Sequence, residues 1–104
     1  MPVFELRTYF PHEGKLEPLL RRFRDHTIRI FDRHGIASVG YWISCETLIY
    51  IVSHASREAA KQNWDAFRAD PEWKRIAAES EANGKLVNRI DSVFMDATDF
   101  SAIK

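Results

Sequence analysis

Along these 104 residues the spacing of apolar side chains switches between the two-residue period of a strand and the 3.6-residue period of a helix. The order is strand, helix, strand, strand, helix, strand, and it constrains the fold more than any other feature. From Val3 to Phe10, the residues Phe4, Leu6, Thr8 and Phe10 alternate with Val3, Glu5, Arg7 and Tyr9, which predicts a half-buried strand. Pro11 to Gly14 is turn chemistry, and from Lys15 onward Leu16, Leu19, Leu20, Phe23, Ile30 and Phe31 fall on one helical stripe. His34-Gly35 closes that helix, glycine supplying the left-handed residue after the cap. Ile36 to Cys45 and Thr47 to His54 predict a hairpin turning at Glu46. Ser56 caps a second helix that buries Ala60, Trp64 and Phe67, and Asp70-Pro71-Glu72 restarts it, since aspartate is a good N-cap and proline suits the first helical position. The continuation buries Trp73, Ile76 and Ala77 and stops at Asn83-Gly84, after which Leu86 to Met95 forms the last strand and Asp96 to Lys104 a polar tail. The expected fold is α+β: one ferredoxin-like βαββαβ domain over residues 1–104, its four-stranded antiparallel sheet in the order 4-1-3-2.

Charge and motif content exclude several classes of function. Lys plus Arg and Asp plus Glu both total 15, and neither half of the chain is strongly basic, so nucleic acid and anionic membrane are poor partners. No 18-residue apolar stretch is present, Glu5, Arg7 and His12 interrupt the amino end, and a lone Cys45 allows no intramolecular disulfide; a cytoplasmic location is expected. His26 and His34 would stand roughly 12 Å apart on a helix and cannot share an ion. No metal and no cofactor are expected, and the absence of a glycine-rich loop argues against a nucleotide site.

Two helices cover one sheet face, and no element remains for the other. If Phe4, Leu6 and Thr8 face the helices, Glu5, Arg7 and Tyr9 lie on the open face. Ala37, Val39, Tyr41 and Ile43 inward leave Ser38, Gly40, Trp42 and Ser44 outward, and Ile90 with Phe94 inward leaves Arg89, Asp91 and Val93 outward. The third strand is apolar on both sides; placing Ile49 and Ile51 inward leaves Leu48, Tyr50, Val52 and His54 open. Such a mixed aromatic and charged face suits either a polar-lined pocket or a wet homodimer interface.

Glu5-Leu6-Arg7-Thr8-Tyr9, Gly14-Lys15-Leu16, His34-Gly35-Ile36, Gly40-Tyr41-Trp42 and Phe67-Arg68-Ala69-Asp70-Pro71-Glu72-Trp73, in this order, resemble the NIPSNAP family. The resemblance implies a dimeric α+β barrel in which two such sheets face each other, without implying one settled activity. Neighbours in that superfamily include cofactor-independent monooxygenases, haem-degrading enzymes and isomerases.

On this reading Arg7, Tyr9, Glu5, Trp42 and Tyr50 are the candidate ligand-binding residues, Arg7 offering a bidentate fork to an anionic group. The plainer alternative for Arg7 is an ion pair with Glu5. His54 and Tyr9 are the candidate catalytic groups, histidine being the natural acid or base near neutral pH. His34 is expected to meet the carbonyl end of its helix, Cys45 to pack as a small hydrophobe, and Trp64, Phe67 and Trp73 to pack between helices. The function expected is binding of a small organic molecule in a barrel cavity, as a monooxygenase- or isomerase-like enzyme. The alternative is a non-catalytic homodimeric interaction or ligand-sensing module.

Overall fold

A computed structural model describes residues 2–104. Its strands are β1 (Val3–Pro11), β2 (Ala37–Ser44), β3 (Thr47–His54) and β4 (Val87–Met95), and they form one antiparallel sheet in the order β2-β3-β1-β4. The helices are α1 (Leu16–Arg22), a π-helical turn (Phe23–Thr27), α2 (Ile28–Arg33), α3 (Arg57–Ala69) and α4 (Pro71–Ser80). Element order and sheet order are those expected. No helix among the described residues is long and apolar enough to cross a membrane.

Local chemistry explains most boundaries. The first helical stretch carries an extra residue at its π turn, where the Ile28 amide donates to the Phe23 carbonyl and the Thr27 hydroxyl to the Arg22 carbonyl at 3.3 Å. α2 ends in a Schellman arrangement: Gly35 has φ +77°, and the Ile36 amide donates back to the Phe31 carbonyl at 3.1 Å. Ser56 Oγ accepts the Ala59 amide at 3.0 Å and starts α3. Asp70 starts α4, its Oδ1 accepting the Glu72 and Trp73 amides at 2.8 and 3.2 Å. The hairpin turns on Cys45 and Glu46, both with positive φ, which leaves Cys45 exposed at the tip instead of packed. His34 does not meet the helix carbonyls, because its Nε2 lies 2.7 Å from Asp70 Oδ2.

The strand faces depart from expectation in β1 and β3. Directly opposed residues share a face. Glu5 stands between Val52 and Phe94, Arg7 between Tyr50 and Ser92, and Tyr9 between Leu48 and Ile90, all turned toward the helices. Leu48, Tyr50, Val52 and His54 are therefore buried, while Ile49 and Ile51 lie on the open face. β4 is placed as expected, with Ile90 and Phe94 on the helix side. In β2 a bulge between Ser38 and Gly40 reverses parity. Tyr41 and Ile43 keep the helix side and Gly40 and Trp42 the open side, but Ser38 and Ala37 exchange places. The core is built from rings: Phe23 lies 5.3 to 6.0 Å from Tyr9, Phe31, Tyr41 and Tyr50, and Phe31 packs edge-on against Trp64 and Phe67.

Candidate functional site

Beneath the helices, Glu5 organises a buried polar network. It is only 2% exposed, a state a carboxylate reaches only when its oxygens are bonded. Oε1 accepts from His54 Nε2 at 2.9 Å and from the Trp64 indole at 2.8 Å, and Oε2 accepts from Arg7 Nη1 at 2.9 Å and from the Ser92 hydroxyl at 2.6 Å. Burial pushes the Glu5 carboxyl up, yet the bonds from His54, Ser92, Trp64 and Arg7 outweigh it and bring its pKa down to about 2. Glu5 is ionised throughout the neutral range.

His54 completes the inner end of the network. Asn63 Nδ2 donates both to the Gly35 carbonyl at 3.2 Å and to His54 Nδ1 at 3.1 Å. With Nδ1 accepting, the proton sits on Nε2 and points to Glu5, which defines the neutral tautomer. The ring is fully buried and does not reach the cleft described below.

Arg7 forms the outer end. Its Nε donates to the Tyr50 hydroxyl at 2.9 Å, Nη1 to Glu5 and Nη2 to the Tyr9 hydroxyl at 3.3 Å, while the guanidinium lies 4.2 Å from the Trp64 ring centroid. Burial works against its charge, but Tyr9, Tyr50 and Glu5 more than offset this and hold its pKa above the ordinary arginine value. Burial is also the main cause of the strongly raised Tyr50 pKa. Three of the five Arg7 donors are used within the chain. Tyr9 accepts from both Arg7 and Tyr50, the latter at 3.0 Å, so its own proton is free to donate.

These free donors adjoin a cleft of about 290 Å³ between the sheet and the helices. Arg7 and Tyr9 line it from the sheet, Trp64, Phe67 and Trp73 from α3 and α4, and Arg22 from α1. The arrangement can stack a flat ring and donate hydrogen bonds to an oxygen at one edge. Of the candidates read from the sequence, Glu5, Arg7, Tyr9, Tyr50 and His54 form one network. Trp42 is not part of it: 52% exposed, it stands on the opposite sheet face, where a β-carbon at Gly40 would meet its ring at 2.5 Å. Asn63, Trp64, Ser92 and Arg22 were not anticipated as site residues. Helical spacing had marked Trp64 for packing, and it does pack, but its indole nitrogen also serves Glu5. Among the described residues, no three His, Cys, Asp or Glu side chains gather as metal ligands.

The fold is that of several solved proteins. A NIPSNAP family protein from Agrobacterium tumefaciens superposes with a TM-score of 0.87 at 19% identity, covering 100% of both chains. SnoaB, a cofactor-independent oxygenase from Streptomyces nogalater, superposes at 0.63 and 15% identity over 99% of this chain and 98% of its own. A monooxygenase from Streptomyces coelicolor, solved with nanaomycin D, gives 0.66 and 16% over 98% and 92%. No curated protein matches this chain. The NIPSNAP family model matches residues 4–102. Nearly the whole sheet, all the helices and the network around Glu5 thus lie within that match, and the chain belongs to the NIPSNAP family.

Proposed function

We propose that this chain binds a small, flat organic molecule in the cleft between sheet and helices, with an oxygen held by Arg7 and Tyr9, and converts it without a bound cofactor in the manner of a monooxygenase. The observation that carries this reading is the pairing of aromatic walls with donors the chain does not itself use. Donation from a guanidinium and a phenol to a ligand oxygen favours its enolate or phenolate form, the electron-rich form that can react with oxygen or isomerise. Tyr9 is the catalytic candidate, since its proton borders the cleft. His54 acts through Glu5 as a positioning group. Two neighbours of the same fold are oxygenases, one of them described as cofactor-independent, which supports the direction of the proposal.

The open face supplies the partner. Leu6, Ile49, Ile51 and Val93 stand there on β1, β3 and β4, Val93 exposed and the other three half-buried, and the reading includes a homodimer formed through two such faces. The test is native mass spectrometry of the purified protein for retained small molecules, followed by oxygen uptake with hydroxylated aromatic compounds in the absence of flavin and metal. Retention and uptake, both reduced by Tyr9→Phe, are expected. A dimer that retains nothing and consumes no oxygen would move the assignment to a non-catalytic homodimeric interaction module.

A further inference from the structure

Arg7 is the obvious cation of the cleft, but its charge is already matched by Glu5 at 2.9 Å. Arg22 is different. It projects from α1, is 93% buried, and lines the same cleft as Arg7. Among the described residues, the one hydrogen bond its guanidinium makes is from Nη1 to Ser80 Oγ at 3.1 Å, and its Nε is buried with no partner at all. Its nearest carboxylate, Glu81, stands 3.6 Å away, beyond hydrogen-bond length, and is about one-third exposed. Trp73 supplies a ring 5.0 Å from the guanidinium carbon. A buried guanidinium with an unused donor, whose one ion pair is long and made to a partly exposed carboxylate, is only weakly compensated for the loss of water.

We infer that Arg22 is the anion-binding residue of the cleft and that the ligand class is a small aromatic carboxylate, its acid group on Arg22 and its ring against Trp73, Phe67 and Trp64. Resting on the ligand reading proposed above, this assigns Arg7 and Arg22 different tasks; Arg68, the third arginine lining the cleft, is exposed and paired with Asp65 at 3.5 Å. Arg7, with Tyr9, donates to a neutral or enolic oxygen from the sheet side, and Arg22 receives the formal charge from the α1 side. Burial holds the Arg22 pKa below the ordinary arginine value despite Glu81, whereas that of Arg7 is raised. The difference fits one closely paired and one weakly paired cation. Arg22 also borders a groove of about 280 Å³ between α1 and α4, but the Trp73 ring and Glu81 flank it on the cleft side.

The probes are 2-naphthoate and its neutral isostere 2-naphthamide, titrated into the whole protein by tryptophan fluorescence and calorimetry. Wild type should prefer the carboxylate. Arg22→Met, which retains an unbranched apolar stem over Trp73, should weaken carboxylate binding by about tenfold or more and leave the amide within about twofold. Glu81→Gln, at a partly exposed position, removes the competing carboxylate and should tighten naphthoate binding several-fold; it decides the matter if Arg22→Met does not fold. Tyr9→Phe should weaken both probes alike. If both probes bind wild type but neither Arg22→Met nor Glu81→Gln changes the preference between them, the assignment of Arg22 is wrong while the cleft reading stands. If neither probe binds wild type, both fall.

Discussion

Glu5 and Arg7 show how a charged pair becomes part of a core. Each bonds to several fixed neighbours, so removing one partner leaves the other buried and uncompensated. Arg7→Leu is therefore expected to destabilise the protein by about 3–5 kcal/mol, and adding Glu5→Gln to it should restore part of that loss. Urea unfolding of the single and double variants measures both. A stable Arg7→Leu protein would show that Glu5 does not depend on its guanidinium. The pH dependence follows from the same residue. The folded-state pKa of Glu5 is near 2, below the ordinary 4.5, so its stabilisation is complete above about pH 5 and is lost as the pH falls toward 2. The contribution at neutral pH is about 3 kcal/mol. Stability measured at pH 7 and pH 3 should differ less in Glu5→Gln than in wild type; equal slopes would contradict the shift.

Between elements, the junction of α2, α3 and α4 converges on Asp70. Its Oδ1 caps α4, while Oδ2 meets His34 Nε2 at 2.7 Å and Arg33 Nη2 at 2.9 Å, so one carboxylate joins the end of one helix to the start of another. The hydrogen bond from His34, then those from Arg33 and the two amides, hold the Asp70 carboxyl well below the usual carboxylate range despite desolvation. Glu72 is lowered to about 2 by Arg29 and Arg33. Asp70→Ala should lower the melting temperature by several degrees at neutral pH, and by less in acid, where the wild-type carboxylate itself becomes protonated. An unchanged neutral melt would remove the capping role. Gly35 is the second control point: its φ is +77°, and a β-carbon there would lie 3.3 Å from Asn63 Oδ1. Gly35→Ala should cost roughly 1 kcal/mol or more in a thermal melt and disturb the Asn63 bond that sets the His54 tautomer. A variant as stable as wild type would show that the turn relaxes without strain.

At the scale of the molecule, the proposed homodimer gives the open face its occupant. Val93, 55% exposed near the middle of β4, is the place to test it. Val93→Lys should convert a dimer to a monomer in light scattering without altering the circular dichroism spectrum, and a wild-type protein that is already monomeric would refute the dimer. The same face explains what could and could not be read from residue order. Strand and helix segments, the Gly35 stop and the Ser56 and Asp70 starts depend on period, caps and turn residues within a few positions of one another, and the sequence alone determined them; the sheet order was legible only through the topology that this succession of elements implies. Which side of β1 meets the helices was not determined that way. The rule that apolar rows turn inward placed Leu6 against the helices and Arg7 outside, whereas the fold buries Arg7 with Glu5, Tyr9 and Tyr50. Local patterning could not show this, because a charged row is tolerable inside only when every donor and acceptor finds a partner. Those partners, His54, Trp64 and Ser92, lie 49, 59 and 87 positions from Glu5 and meet it only once the sheet and helices have packed.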